Sequence, residues 1–289
     1  MWTERRRCLH WLGALPLLGA GLAKAQTPAA APGETLARVR EKGRLRIAVY
    51  NDFAPYSSRA GQGIDADLGR AIAAKLGVAA EIVGFNADED MNDDLRNMVW
   101  KGHYLGTQPA DVMMHVPVDE HLIRANDKVR IFGAYHREQL ALARDPARVP
   151  PLAGSAAVAL EIFTREKIGV ETASLADSFL LAVMNGRLRD NVVHFKSVGE
   201  AASGLLGGQV AAVLAPRAEL EAALTGQTGI ALELPRFAEL TLKGWLLGMA
   251  VKRDDQDLAD ALAAALEALK REGEIARIFR QHGITHQPA

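Results

Sequence analysis

The sequence predicts an α/β protein of two lobes, each a mostly parallel sheet flanked by helices. Three observations carry that expectation. Strand-like runs alternate with amphipathic helical stretches, the order that builds parallel sheets through crossover connections. The alternation comes in two sets, one early and one central, and a C-terminal strand and helices then return to the first set. With 289 residues, 49% of them hydrophobic, the chain can fill two cores at roughly 100–200 residues per domain.

Residues 34–42 read as a short helix stopped by Gly43, and 45–50 (LRIAVY) as a buried strand. The segment 51–58 (NDFAPYSS) is turn-forming. Ile64, Leu68, Ile72 and Leu76 recur at every fourth position, the stripe of a helix that Gly77 ends, and 79–85 is the next strand. Residues 93–101 read as helix, with Leu95, Met98 and Val99 on one side, and 111–116 (DVMMHV) as strand. A strand at 139–144 leads into the turn at Pro150-Pro151, where the second unit opens. That unit reads as strand 167–171, helix 175–184, strand 192–195, helix 198–206, strand 210–214 and helix 217–224. The run 244–252 (GWLLGMAVK) is the returning strand. Leu258, Leu262, Leu266 and Leu269 form a helical stripe, and Ile275, Ile278 and Phe279 mark a closing helix. The expected division is a signal segment at 1–25, a leader with a short helix at 26–43, lobe 1 at 44–136, lobe 2 at 137–243, and the return at 244–289.

Thirty-four Lys and Arg against 35 Asp and Glu give a formal net charge of −1, without the basic excess of a nucleic-acid binder. One cysteine excludes a disulfide framework and a Cys-rich metal site. Arg5, Arg6 and Arg7, then the apolar run 11–22, then Ala23-Lys24-Ala25 have the layout of a cleavable secretory signal. The apolar run is shorter than the roughly 20 residues a membrane span needs. The run Arg5-Arg6-Arg7-Cys8-Leu9 resembles a twin-arginine export signal imperfectly. These features predict a periplasmic monomer with no span after cleavage. Cys8 leaves with the signal, so the core alone must hold the fold.

Gly61-x-Gly63-x-x-Ala66 matches a dinucleotide-binding pattern weakly, because a Pro-containing loop separates it from the strand; a turn before a helix fits better. No P-loop and no G-x-S-x-G elbow occurs. Asp88, Asp90 and Asn92 stand at calcium-loop spacing, but Asp93 replaces the required glycine and Val99 the closing glutamate. A helix N-terminus with Asp93 and Asp94 facing the dipole fits that acidic run better. His103, His115 and His121 match no zinc spacing. No cofactor or metal is expected. His115 stands at a strand end, where a cleft opens in α/β sheets; a hydrogen-bonded core histidine is the equal alternative.

Three stretches then resemble the periplasmic solute-binding proteins of family 3, the amino-acid-binding class. They are Leu45-Arg46-Ile47-Ala48-Val49 with Phe53-Ala54-Pro55-Tyr56 and Gly63-Ile64-Asp65-Ala66-Asp67-Leu68; Lys167-Ile168-Gly169-Val170-Glu171-Thr172-Ala173-Ser174; and the tail from Gly273 to Ile284. The resemblance implies a type II periplasmic binding protein fold, with two crossover strands as a hinge closing on a ligand. It also implies an ABC permease as partner. Segments 97–106 and 111–119, with Gly244-Trp245 and Gly248-Met249-Ala250-Val251, resemble the solute-binding-like proteins associated with quinoprotein (PQQ-dependent) alcohol dehydrogenases. That likeness implies an accessory role beside a periplasmic dehydrogenase, and an exposed aromatic patch around Trp100 and Tyr104 would suit such a partner.

Departures from the family pattern bear on the ligand. The arginine that clamps an amino-acid carboxylate falls at about Ile123, with Arg124 one step away. The aspartate that binds the ammonium group falls at Pro216 and Arg217, and the first-lobe acid is Tyr50. A missing ionic partner costs several kcal/mol in a desolvated cleft, so standard amino acids should bind poorly. An acidic or aromatic small molecule is the better match. It would be met by Tyr50, Phe53, His115, Val116, Thr172, Ser174 and Arg217, each of which could equally serve local packing or, for Ser174, a helix cap. A binding protein rather than an enzyme is expected. The alternative is a cyclohexadienyl dehydratase-like enzyme on the same scaffold, with Glu171 the one placeable general acid.

Overall fold

The computed structural model describes residues 34–104, 106–240 and 244–289. The expected signal segment at 1–25 lies outside the described residues.

Helix α1 (Thr35–Glu41) leads into β1 (Arg44–Tyr50), whose alternate residues feed opposite faces of one sheet. Ile47 and Val49 enter one apolar cluster, Ala48 and Tyr50 the other. A small hairpin, β2 (Asp52–Phe53) and β3 (Ser57–Ser58), precedes α2 (Ile64–Lys75). Gly63 caps α2 at φ 122, and a Cβ there would lie 2.4 Å from the Tyr56 carbonyl oxygen. Only glycine tolerates both that dihedral and that approach, so the glycine pair serves a turn. The stripe Ile64, Leu68 and Ile72 is fully buried against the sheet.

The strand β4 (Ala79–Phe85) pairs parallel with β1, as the crossover pattern required. Helix α3 (Met91–Leu95) is capped by Asp90, whose side chain accepts from the backbone N–H groups of Asn92 and Asp93. The acidic run therefore does work as a helix N-terminus. The turn that follows, Arg96–Trp100, is π-helical where an α-helix was expected. Strand β5 (Val112–Pro117) pairs parallel with β1. After the short α4 (Glu120–Ala125), β6 (Val129–Glu138) runs antiparallel to the returning strand.

Neither α4 nor β6 was legible beforehand. In β6 the alternation of buried residues breaks at Gly133, which takes φ 67, and the register opposite it shifts between Leu247 and Met249. A bulge of this kind moves the side-chain period out of phase, so the strand loses its sequence signature.

The chain then crosses into β7 (Leu140–Arg144) of a second sheet. After the short α5 (Ala156–Ala159) come β8 (Ile168–Glu171), α6 (Leu175–Ala182), β9 (Val192–Phe195), α7 (Val198–Leu206), β10 (Ala212–Pro216), α8 (Arg217–Ala223) and β11 (Ala231–Glu233). Ser174 and Ser197 cap α6 and α7 through their hydroxyls. The expected helix over 175–184 stops at Ala182, because Met184 and Asn185 take left-handed dihedrals. The chain returns in β12 (Trp245–Lys252) and closes with α9 (Gln256–Arg271) and α10 (Glu274–Gln281).

The first sheet has the order β4-β1-β5-β12-β6 and the second β11-β7-β10-β8-β9. In each sheet four strands run the same way and one inner strand, β12 in the first and β7 in the second, runs against them, so each is mostly parallel as expected. Each sheet also carries apolar clusters on both faces. The two crossing segments lie side by side, with Trp245 opposite Glu138. A Cβ on Gly244 would come within 2.6 Å of the Glu138 carbonyl, so glycine lets the crossing strands meet. The Trp245 ring packs against clusters of both lobes. Among the described residues no helix is long and apolar enough to cross a membrane.

The α9 stripe, Leu258, Leu262, Leu266 and Leu269, is buried in the apolar cluster on one face of the first sheet. Leu262→Ala is expected to cost about 2–5 kcal/mol in urea denaturation; a loss under about 1 kcal/mol would show that α9 does not carry the lobe 1 core.

Candidate functional site

Three parallel strands of lobe 1 end together, at Tyr50 (β1), Phe85 (β4) and Pro117 (β5). Ligands of open α/β sheets lodge at such carboxyl ends. Here a cavity of about 480 Å³ opens, walled by Tyr50, Phe53, Phe85, Met91, His115 and Trp245. Its lining also includes Asn51, Asp52 and Asn86, and it holds neither lysine nor arginine.

Tyr50 is almost wholly buried, and its hydroxyl donates to Asp94 Oδ2 at 2.7 Å. Burial first, and the Asp94 charge second, hold this phenol protonated far above its ordinary range. Its ring centroid lies 4.5 Å from Phe85 and 5.8 Å, edge on, from Phe53. Tyr50 and Phe85 end the paired strands β1 and β4 opposite one another, and Phe53 comes from the turn-forming segment after β1.

His115 takes φ 61, a left-handed dihedral for a non-glycine residue inside β5. Surrounding bonds determine that conformation. Its backbone N–H donates to the Tyr135 hydroxyl at 3.2 Å. Tyr135 in turn donates to Asp65 Oδ1 at 2.6 Å, and Asp65 Oδ2 lies 3.0 Å from His115 Nδ1. Asp65 is fully buried in the first turn of α2, where the helix dipole favours a carboxylate. With Nδ1–H directed to Asp65, the imidazole presents Nε2 as its remaining polar atom. The Phe53 and Tyr56 rings meet the imidazole at 4.6 and 4.2 Å.

The other expected site residues lie elsewhere. Val116 is buried in the sheet core beside Ala48 and Met113 and does not line the cavity. Thr172 is exposed at the end of β8, its hydroxyl donating to the Phe195 carbonyl, and Ser174 caps α6. Arg217 opens α8 and donates from Nε to Glu221 Oε1 at 2.7 Å, while Glu221 also accepts from the Thr285 backbone. Its guanidinium is therefore engaged along its own helix. Arg124 pairs with Glu120 on the exposed face of α4. Tyr104 is 88% exposed, whereas Trp100 is half-buried.

Three carboxyls gather where the strand ends of the two sheets meet, and only Glu171 was singled out in the sequence. Glu138 is buried and accepts from the Tyr56 hydroxyl at 2.5 Å and from the Gln139 backbone at 2.8 Å. Burial raises its pKa, and burial likewise raises that of Glu171. Glu219 on α8 is pushed up to about 8, by burial first and then by Glu171 and Glu138. Among the described residues no group of three or more His, Cys, Asp or Glu could hold a metal ion.

No family model matches the chain, and no curated protein matches it. Solved structures do. An ancestral cationic amino acid solute-binding protein aligns with TM-score 0.66 and 17% identity, covering 86% of this chain and 98% of the other. An amino acid ABC transporter substrate-binding protein from Streptococcus pneumoniae, bound to L-arginine, aligns with TM-score 0.60 and 18% identity over 87% and 99%. An ancestral amino-acid-binding protein described as a precursor of cyclohexadienyl dehydratase aligns with TM-score 0.57 and 17% identity over 86% and 98%. At these identities the likeness shows the fold: the chain has the two-lobed architecture of periplasmic binding proteins. None of these three is described as dehydrogenase-associated, and that link rests on the sequence resemblance alone.

Glu219 gives a pH test. Its folded pKa is about 8 against an ordinary 4.5. The folded state therefore holds a proton that the unfolded chain releases, and stability is full below pH 4.5 and falls as pH rises toward 8. Glu219→Gln is expected to flatten that fall in denaturation midpoints measured across the interval; an unchanged slope would place the carboxyl in contact with water.

Proposed function

We propose that this chain is a periplasmic solute-binding protein that takes a small aromatic or apolar-bodied molecule lacking the amino-acid zwitterion. The observation that supports it is the cavity at the lobe 1 strand ends, aromatic-walled and without Lys or Arg. A carboxylate clamp would need such a group, and Arg124 and Arg217 are both paired with glutamates. Of the expected acidic or aromatic ligand, the aromatic half fits this wall better.

Closure of the lobes follows from magnitude. Burying one aromatic ring of about 150–250 Å² at roughly 25 cal/mol/Å² supplies about 4–6 kcal/mol. Micromolar binding needs about 8 kcal/mol. The difference must come from lobe 2, so a ligand that touches both lobes favours the closed state. Thr172, Ser174 and the α8 start, at the lobe 2 strand ends, are the residues this closure would bring in. Delivery to an ABC permease is the partner reading the fold supports best, ahead of a PQQ-dependent dehydrogenase.

The test is a thermal-shift panel of indole, 2-phenylethanol and phenylacetate against L-arginine and L-glutamine. A binder at about 100 times its Kd adds roughly 2.7 kcal/mol. At least one aromatic is expected to shift the midpoint and the amino acids are not; a micromolar amino-acid response would sink the proposal.

A second reading rests on Glu171, whose raised pKa at the end of β8 suits a general acid for dehydration of a cyclic acid. Turnover of prephenate, abolished in Glu171→Gln, is what this reading requires; a pure preparation with no turnover ends it.

A further inference from the structure

We infer that the cavity selects an organic cation, an N-methylated (quaternary) ammonium group seated among the rings of Tyr50, Phe53, Phe85 and Trp245. The inference rests on the reading of this cavity as the ligand site and adds the sign and type of charge.

The walls supply what such a group recognises. A cation near an aromatic face is held by the negative quadrupole of the ring, and several rings around one space hold it best. Tyr50, Phe53 and Phe85 are already packed ring against ring, and Trp245 enters from the crossing strand. The Tyr50 hydroxyl donates to the Asp94 carboxylate behind it, which pushes electron density into the ring.

The charge inventory has the matching sign. No lysine or arginine lines the cavity. Asp52, at the rim, is acidic and paired with Arg59, both exposed. His115 stands 3.0 Å from the Asp65 carboxylate, so the pair adds no net positive charge in either state of the imidazole. An incoming anion would find no committed partner, whereas an incoming cation would meet no repulsion.

The hydrogen-bonding capacity also matches. A primary ammonium must place three N–H donors. Two polar side chains of the wall are already bonded: the Asn51 amide donates to Asn86 Oδ1 at 2.8 Å, and the Tyr50 hydroxyl donates to Asp94 behind the wall. A quaternary nitrogen brings charge without donors and so asks nothing further of these bonded groups.

The experiment is calorimetric titration of the exported form of the chain with choline, its uncharged carbon isostere 3,3-dimethyl-1-butanol, and 3,3-dimethylbutyrate. Choline is expected to bind at least tenfold tighter than the alcohol and the carboxylate weakest. Phe53→Leu removes one ring and keeps an apolar side chain; it is expected to lower the preference for choline over the alcohol at least fivefold, and an unchanged preference would count against the rings as the source of selectivity. Choline no tighter than the alcohol, or unbound while an aromatic of the panel binds, overturns the cation and leaves the cavity reading standing. No response to any of these probes, aromatic panel included, overturns both.

Discussion

One buried carboxylate holds the cavity side of lobe 1 in place. Asp65 has no exposed surface, yet it joins three elements: its own helix α2, β5 through His115, and β6 through Tyr135. A lone carboxylate at this depth would be prohibitive, and its two side-chain bonds and the α2 dipole make it tolerable. The left-handed backbone at His115 belongs to the same arrangement, since its N–H completes the circuit through the Tyr135 hydroxyl. Without Asp65 the imidazole would have no fixed orientation, and the cavity would lose one wall.

The hinge follows a related logic with the opposite balance. Glu138 is satisfied by Tyr56 and by backbone donors, whereas Glu219 has mainly burial and like charges for company. Burial raises the pKa of both carboxyls, that of Glu219 to about 8. The lobes are thus joined by a region whose charge is set by burial, while each sheet keeps its own apolar clusters and its own reason to fold.

What the sequence disclosed, and what it hid, divides by how local the cause is. Helix α7 was read to the residue because Ser197 and its apolar spacing are local signals. The α2 and α9 stripes were equally plain. His115 stands at a strand end legible in the sequence, and there it lines the cavity. Strand β6 was hidden because its bulge at Gly133 cancels the period. Asp65 resembles an ordinary dipole-facing acid until β5 and β6 are laid beside it. Phe85 and Met91 stand close together in sequence, but Trp245 comes from the far end of the chain, and no spacing rule joins it to them. Arg217 illustrates a clue passed over: Glu221 stands four residues on, the helical distance for an ion pair, and it takes the guanidinium that the ligand was expected to meet.

Trp245 sits on the crossing strand, touches the cores of both lobes and forms part of the cavity wall. The chain has four tryptophans, and only Trp100 and Trp245 fall among the described residues. The indole at the crossing is therefore a built-in optical gauge, whose emission colour depends on the packing of both cores and on what fills the cavity beside it. Any change at that position alters two cores and one cavity wall at once.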